Sequence, residues 1–303
     1  HVGFVEAVKK VADIIQYPLD IEPIEIVKSP QDQRKDRLHK ALEETIKFTM
    51  YQLNTANGAQ AKQYLQNRGM DANIIEMFQV GYNGSNDVLH RFFWAKGYED
   101  EVMNSVNVVR LSANGIHDVF YDRITFPIHD SNGNPIGFSA RTMNPDEPSK
   151  YINTTETELY SKGRTVYNLH RAKNYARKEG RLLICEGVTD VIAFARAGIY
   201  HVCATLGTAC TKEQIQLMKS TCNQLVFCYD GDRAGQNACY KAGQLALSFG
   251  CHVSIIQNKT GLDPDEIIRQ FSKEELVSLA SKEMSWVEFV FDYYLKHYDL
   301  SMY

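Results

Sequence analysis

Apolar side chains set three rhythms along this chain, and each rhythm predicts a different kind of element. Leu38, Leu42, Ile46, Met50 and Leu53 recur at three- and four-residue spacing, the period of one helix face. The spacing predicts a helix beginning near Arg37. Shorter helices follow, with Gly69 and Gly97 as C-caps and Asp71 and Asp87 as N-caps. Ahead of them, a short helix from Phe4 to Ile15 leads into a charged connector through Pro18, Pro23 and Pro30. Around Val106 the period shortens to two. Val108–Leu111, Val119–Tyr121, Ile124–Ile128 and Pro135–Phe138 read as strands, with hairpin turns at Asn114-Gly115 and Asn132-Gly133. After Gly180, apolar strands (Leu182–Cys185, His201–Thr205, Leu225–Tyr229, His252–Ile256) alternate with helical patterns (Asp190–Ala197, Lys212–Lys219, Ala234–Phe249). That order predicts a parallel sheet covered by helices. Beyond Asp263 the pattern is helical to the end, with no strand.

The predicted fold class is therefore α/β combined with α+β. Residues 1–36 read as a linker or the tail of another domain, and 37–179 as a mixed α+β subdomain. Residues 180–262 form a Rossmann-like parallel sheet, and 263–303 a helical C-terminal subdomain.

Composition narrows this picture. No apolar run approaches the roughly 20 residues that a membrane-crossing helix needs. The seven cysteines include no C-x-x-C pair, and several sit in apolar runs such as Leu183–Cys185 and Val226–Cys228. They read as reduced core thiols of a cytoplasmic protein, not as zinc ligands. A formal net charge of −4 gives no global signature of nucleic-acid binding. Locally the balance differs. Residues 141–181 hold nine Lys or Arg against five Asp or Glu, directly upstream of a set of acidic motifs.

Those motifs carry the candidate chemistry. Glu186 follows the first strand of the parallel region, and Asp190 lies one turn into the next helix. Asp230 and Asp232 follow the third strand in Asp230-Gly-Asp-Arg-Ala-Gly235, and Asp263 and Asp265 follow the fourth in Asp263-Pro-Asp265. Ligands of open parallel sheets bind outside the carboxyl ends of the strands. Like charges gathered there need a cation, and hard oxygen donors select magnesium or manganese over zinc. Asp190 or Asp265 alone would read as a helix-terminal residue, and Asp230-Gly-Asp232 alone as a turn. Together the three pairs predict a divalent-metal site for phosphoryl transfer.

Glu186-Gly-Val-Thr-Asp190, Asp230-Gly-Asp232 and Asp263-Pro-Asp265 resemble the acidic elements of a Toprim domain. The Leu206-Gly-Thr-Ala209 turn and Asp232-Arg-Ala-Gly235 resemble its bacterial DnaG-type primase branch. Ser149-Lys-Tyr-Ile-Asn-Thr154, Tyr160-Ser-Lys-Gly-Arg164, Asp122–Ile128 and Gly137–Arg141 are similar to the motifs that precede Toprim in those enzymes. The resemblance implies template-directed synthesis of RNA primers on single-stranded DNA from ribonucleoside triphosphates. It implies that Glu186, Asp230 and Asp232 are catalytic and hold Mg2+, with Mn2+ as a substitute, and that Asp190, Asp263 and Asp265 support them. Arg123, Arg141, Lys150 and Lys162 would contact nucleotide, template or nascent RNA. Zinc would belong only to a module absent from this chain. A replicative helicase would be engaged through a C-terminal domain also absent, and the fragment would be monomeric. Gly261-Leu262 departs from the Lys that usually precedes the last acidic motif. Another Toprim activity, topoisomerase or nuclease, and a non-catalytic scaffold remain the alternatives.

Overall fold

The structure is a computed structural model and describes residues 4–18, 29–113, 115–207, 210–258 and 260–297. Two units divide the chain, His1–Lys35 and Asp36–Tyr303. In the first lies α1 (Phe4–Ile14); most of the Pro-containing connector falls outside the described residues. The helix predicted from Arg37, α2 (Pro30–Leu53), begins seven residues earlier. Proline suits the first turn because its missing N–H has no intrahelical partner there, and Ser29 Oγ accepts the Asp32 N–H at 3.2 Å.

Short helices follow: α3 (Ala59–Asn67), α4 (Ala72–Met77), α5 (Val88–Ala95) and α6 (Asp100–Ser105), with strand β1 (Gly81–Asn83) among them. Gly69 and Gly97 have φ of 72° and 74°, as helix-ending glycines do. Asp71 caps α4 by accepting the Ile74 N–H at 2.9 Å. Asp87 does not cap α5 with its side chain, which pairs instead with Arg91 at 3.0 Å.

The strands of this half are β2 (Val109–Ser112), β3 (Gly115–Asp118), β4 (Arg123–His129), β5 (Pro135–Thr142) and β6 (Tyr151–Asn153). The predicted strand Val119–Tyr121 is a turn; its place is taken by β3, four residues upstream, which pairs with β2. The apolar run at 119–121 served as the cue, whereas β3 itself is largely polar. A four-stranded antiparallel sheet runs β1-β4-β5-β6. Asp130 fixes its Asn132-Gly133 turn by accepting the Asn132 and Asn134 N–H groups at 2.8 and 2.9 Å.

The second half holds α7 (Leu169–Glu179), β7 (Leu182–Cys185), α8 (Val188–Arg196), β8 (Val202–Ala204), α9 (Lys212–Thr221), β9 (Gln224–Phe227), α10 (Arg233–Ser248) and β10 (His252–Ile256). The chain ends with α11 (Pro264–Gln270), α12 (Lys273–Ala280), β11 (Glu283–Ser285) and α13 (Trp286–His297). The five strands run in the order β11-β10-β9-β7-β8, all parallel except β11. The expectation of no strand after Asp263 fails at β11. Three residues carry no readable period, and Glu283 is held there by Arg181 and by the Ser254 hydroxyl at 2.6 Å. Residues after Asp263 therefore share a sheet with β10 instead of standing apart.

One apolar cluster contains Ile124, Phe126 and Ile128 of the antiparallel sheet together with Leu183, Val191 and Phe194 of the parallel half. The two halves are thus packed through a common core, which fixes the basic segment against the strand ends. All seven cysteines are free, and five are buried.

Candidate functional site

Strand order makes the site. The carboxylate pairs that follow the first, third and fourth strands of the parallel half leave β7, β9 and β10, which are adjacent in space. Glu186, Asp190, Asp230 and Asp263 line one cavity of about 290 Å³, with Ser139, Tyr151, Asn153, Thr189 and Gly207 as other walls.

Backbone hydrogen bonds set each acid. Glu186 accepts the Asp230 N–H at 3.0 Å, which ties the end of β7 to the end of β9. Asp190 accepts the Gly187 N–H at 2.9 Å in the first turn of α8. Asp232 is the N-cap of α10, accepting the Gly235 N–H at 2.7 Å, and is exposed beside the cavity instead of lining it. Asp263 caps α11 through the Glu266 N–H at 2.6 Å. The loops bearing these acids approach other backbone very closely. A Cβ on Gly231 would stand 2.4 Å from the Asn258 carbonyl oxygen, and one on Gly235 2.4 Å from that of Asp230. Only glycine fits there.

Electrostatics show what the acids lack. Burial raises the pKa of Asp230 to about 6, aided by Glu186, Asp263 and Asp232. Burial also raises Glu186 and Asp263, and it lifts Asp190 well above the usual carboxylate range with Asp263, Asp230 and Glu186 adding to it. Among the described residues, none of these acids has a Lys or Arg ion pair. The donor set is all oxygen and short of positive charge, which fits a hard divalent cation. Yet no three His, Cys, Asp or Glu side chains among the described residues already stand as a finished ion cage.

Asp265 is the acid that the structure removes from this group. It is fully buried and faces Arg68, Arg196 at 3.4 Å and Arg269 at 2.9 Å. Both of its oxygens are occupied by guanidinium donors, so it anchors α11 instead of facing the cavity.

The four predicted basic residues also divide. Lys162 is exposed on a 3-10 turn, and its Nζ lies 3.3 Å from where a Gly207 Cβ would be, so it lies against a wall of the acidic cavity. Lys150 is exposed on the loop before β6. Arg141 is half-buried between two tyrosines, donating to Tyr64 Oη at 2.8 Å and Tyr151 Oη at 2.6 Å. Arg123 differs: its guanidinium donates to the Ser149 carbonyl at 2.9 Å and pairs with Glu147 at 3.5 Å. It fastens the loop carrying Lys150. Thr208 and Ala209 of the predicted turn lie outside the described residues. Tyr64, Arg68 and Arg196 escaped the sequence reading, because an isolated Tyr or Arg on a helix carries no signal of a partner far along the chain.

Comparison with known proteins accords with this arrangement. The family model "DNA primase catalytic core, N-terminal domain" matches residues 48–173, and a Toprim-like model matches 183–268. A DNA primase of Haemophilus influenzae is 34% identical over 306 residues, covering 98% of this chain and 51% of that protein. A solved DnaG primase catalytic domain bound to ssDNA is 31% identical with a TM-score of 0.80, covering 89% of this chain and 86% of that one. The Escherichia coli primase catalytic core is 33% identical with a TM-score of 0.77, covering 87% and 86%. The chain spans about half the length of the curated relatives it matches.

Proposed function

The chain belongs to the DnaG-type DNA primase family, and from that premise we propose that it is a catalytic core for RNA primer synthesis. Its substrates would be ribonucleoside triphosphates and its template single-stranded DNA. The observation that carries this reading is the meeting of four carboxylates from three adjacent strands in one cavity, with Lys162 against its wall.

In the reaction a ribonucleotide 3′-hydroxyl loses its proton and attacks the α-phosphorus of an incoming triphosphate, and pyrophosphate leaves. Glu186, Asp230 and Asp232 would hold Mg2+ or Mn2+, with Asp190 and Asp263 behind them. A cation held by these residues would supply the positive charge that lowers the pKa of the attacking hydroxyl and offsets phosphate charge. Magnesium commonly takes one or two carboxylates plus substrate phosphates and waters, so a site without a finished protein cage suits it. Lys162 supplies fixed positive charge beside the acids, where phosphate charge builds. Lys150, exposed on the loop that Arg123 holds, would meet template or primer backbone, a contact that weakens with salt. In this reading residues 37–179 present the nucleic acid and 180–262 the catalytic acids.

Ribonucleotide incorporation on single-stranded DNA tests the proposal, with magnesium, manganese or chelator added. Template-dependent product with either ion is expected, with none in chelator and none from Asp230→Ala. Product that persists in chelator would overturn the metal assignment, and absence of product from the wild type would overturn the primase reading.

A further inference from the structure

A chain of side chains crosses from the buried Asp265 cluster to the wall of the acidic cavity. Arg68 Nη2 donates to Asp265, and Arg68 Nη1 donates to Tyr64 Oη at 3.0 Å. The same Tyr64 oxygen accepts Arg141 Nε at 2.8 Å. Arg141 Nη1 donates to Tyr151 Oη at 2.6 Å, and Tyr151 lines the cavity. The Arg141 guanidinium also lies 5.8 Å from the Tyr64 ring centroid and 5.0 Å from that of Tyr151. Two cations converge on one phenol oxygen. Such sharing is costly unless both are held from behind, and Asp265 holds Arg68 while β5 carries Arg141.

We propose that Tyr64 is a positioning residue: its hydroxyl locks Arg141 to Arg68, and so fixes the guanidinium that stands behind Tyr151 of the cavity wall, for contact with the phosphates of a bound triphosphate. The inference rests on the primase reading for the identity of the ligand, a nucleoside triphosphate. Tyr64 lies on α3, far in sequence from every acidic motif, and has no contact with the acids itself. It acts through Arg141. Two of the five guanidinium N–H groups of Arg141 are used on the tyrosines, which leaves others for phosphate oxygens. Without the Tyr64 hydroxyl, Arg141 keeps its charge and its ring contacts but loses one of two bonds that fix its fork.

Tyr64→Phe isolates this effect, because the ring and its cation–π contacts remain. Steady-state incorporation would be measured against triphosphate concentration, alongside equilibrium binding of a non-hydrolysable ribonucleoside triphosphate and a thermal melt. A rise in KM and in the dissociation constant of about tenfold is expected, the worth of one hydrogen bond to a charged group, with kcat changed less than about threefold. In the Arg141→Lys background the same substitution should have little further effect, since the fork it positions is gone. Unchanged KM and binding in an active wild-type background would overturn the proposal. So would a fall in kcat at constant KM with a lower melting temperature, which marks a merely structural role. If the wild type binds triphosphate but makes no RNA, the primase reading fails, and the binding comparison still decides the role of Tyr64.

Discussion

Replacing Asp265 by Asn exchanges one oxygen for an amide nitrogen of nearly the same size, so it tests charge and not volume. In the wild type this single carboxylate faces three guanidiniums with no exposure of its own. The Arg68 and Arg196 side chains are only 11% and 8% exposed, so neither can regain water when the negative charge is removed. Arg269 is 34% exposed and can turn outward, so its share is small. Breaking a buried ion pair by removing one partner costs about 3–5 kcal/mol, and that range applies to the Arg68 and Arg196 side of the cluster. Against a total stability of about 5–15 kcal/mol the loss is large. At roughly 2–4 °C per kcal/mol it corresponds to a fall in melting temperature on the order of 10 °C. Thermal melts with and without magnesium separate this anchoring role from metal binding. The expected result is a lower melting point for Asp265→Asn, with the magnesium-induced upward shift preserved. A variant that melts with the wild type but no longer responds to magnesium would refute the anchoring role and return Asp265 to the ligand set.

Asp230→Asn should behave in the opposite sense. A folded-state pKa raised to about 6 means that ionised Asp230 opposes folding above pH 6, and that this penalty fades as pH falls from 6 toward the unfolded value near 4. Without divalent ions, Asp230→Asn should therefore melt higher than the wild type at pH 7.5, by an amount that shrinks to nothing near pH 4. Added magnesium should reverse the order; equal melting curves at pH 7.5 would show that burying ionised Asp230 among these acids carries no folding penalty. Lys162→Ala should raise KM for triphosphate about tenfold with no change in melting temperature, since its exposed ammonium has only charge to contribute. Lys150→Ala should weaken binding of single-stranded DNA regardless of sequence and lower the salt slope by about one, read from fluorescence titrations at several salt concentrations. Gly231→Ala should cost about 1–3 kcal/mol in urea unfolding, because its Cβ meets the Asn258 carbonyl, and should weaken magnesium binding as Asp230 and Asp232 shift. A silent Gly231→Ala would mean that the loop is looser than its contacts imply.

Much of the molecule was legible along the chain because it is decided locally. The helical period gave the buried face of α2, and short apolar runs marked β7 and β10 as strands of a covered parallel sheet. The acids after β7, β9 and β10 could be singled out for the same reason, as residues that leave a strand must emerge at its end. Short elements were lost. β1, β6 and β11 are three residues each, too few for any period, and their pairing partners come from elsewhere in the chain. Arg123 shows a different limit: its sequence context marks it as a nucleic-acid contact, but only the fold reveals that Glu147 and the Ser149 carbonyl already occupy its guanidinium.

The sequence by itself determined that six acids emerge from strand ends behind a basic segment. Tertiary structure alone decided which of them meet. The order β10-β9-β7 makes β9 a neighbour of β7, although β8 lies between them in the chain, and so gathers Glu186, Asp190, Asp230 and Asp263. It also withdraws Asp265, whose partner Arg68 stands 197 residues away. A carboxylate reads identically in sequence whether it will face a cation from solution or an arginine from the protein. That choice depends on which surfaces the folded chain brings together, and no local spacing encodes it.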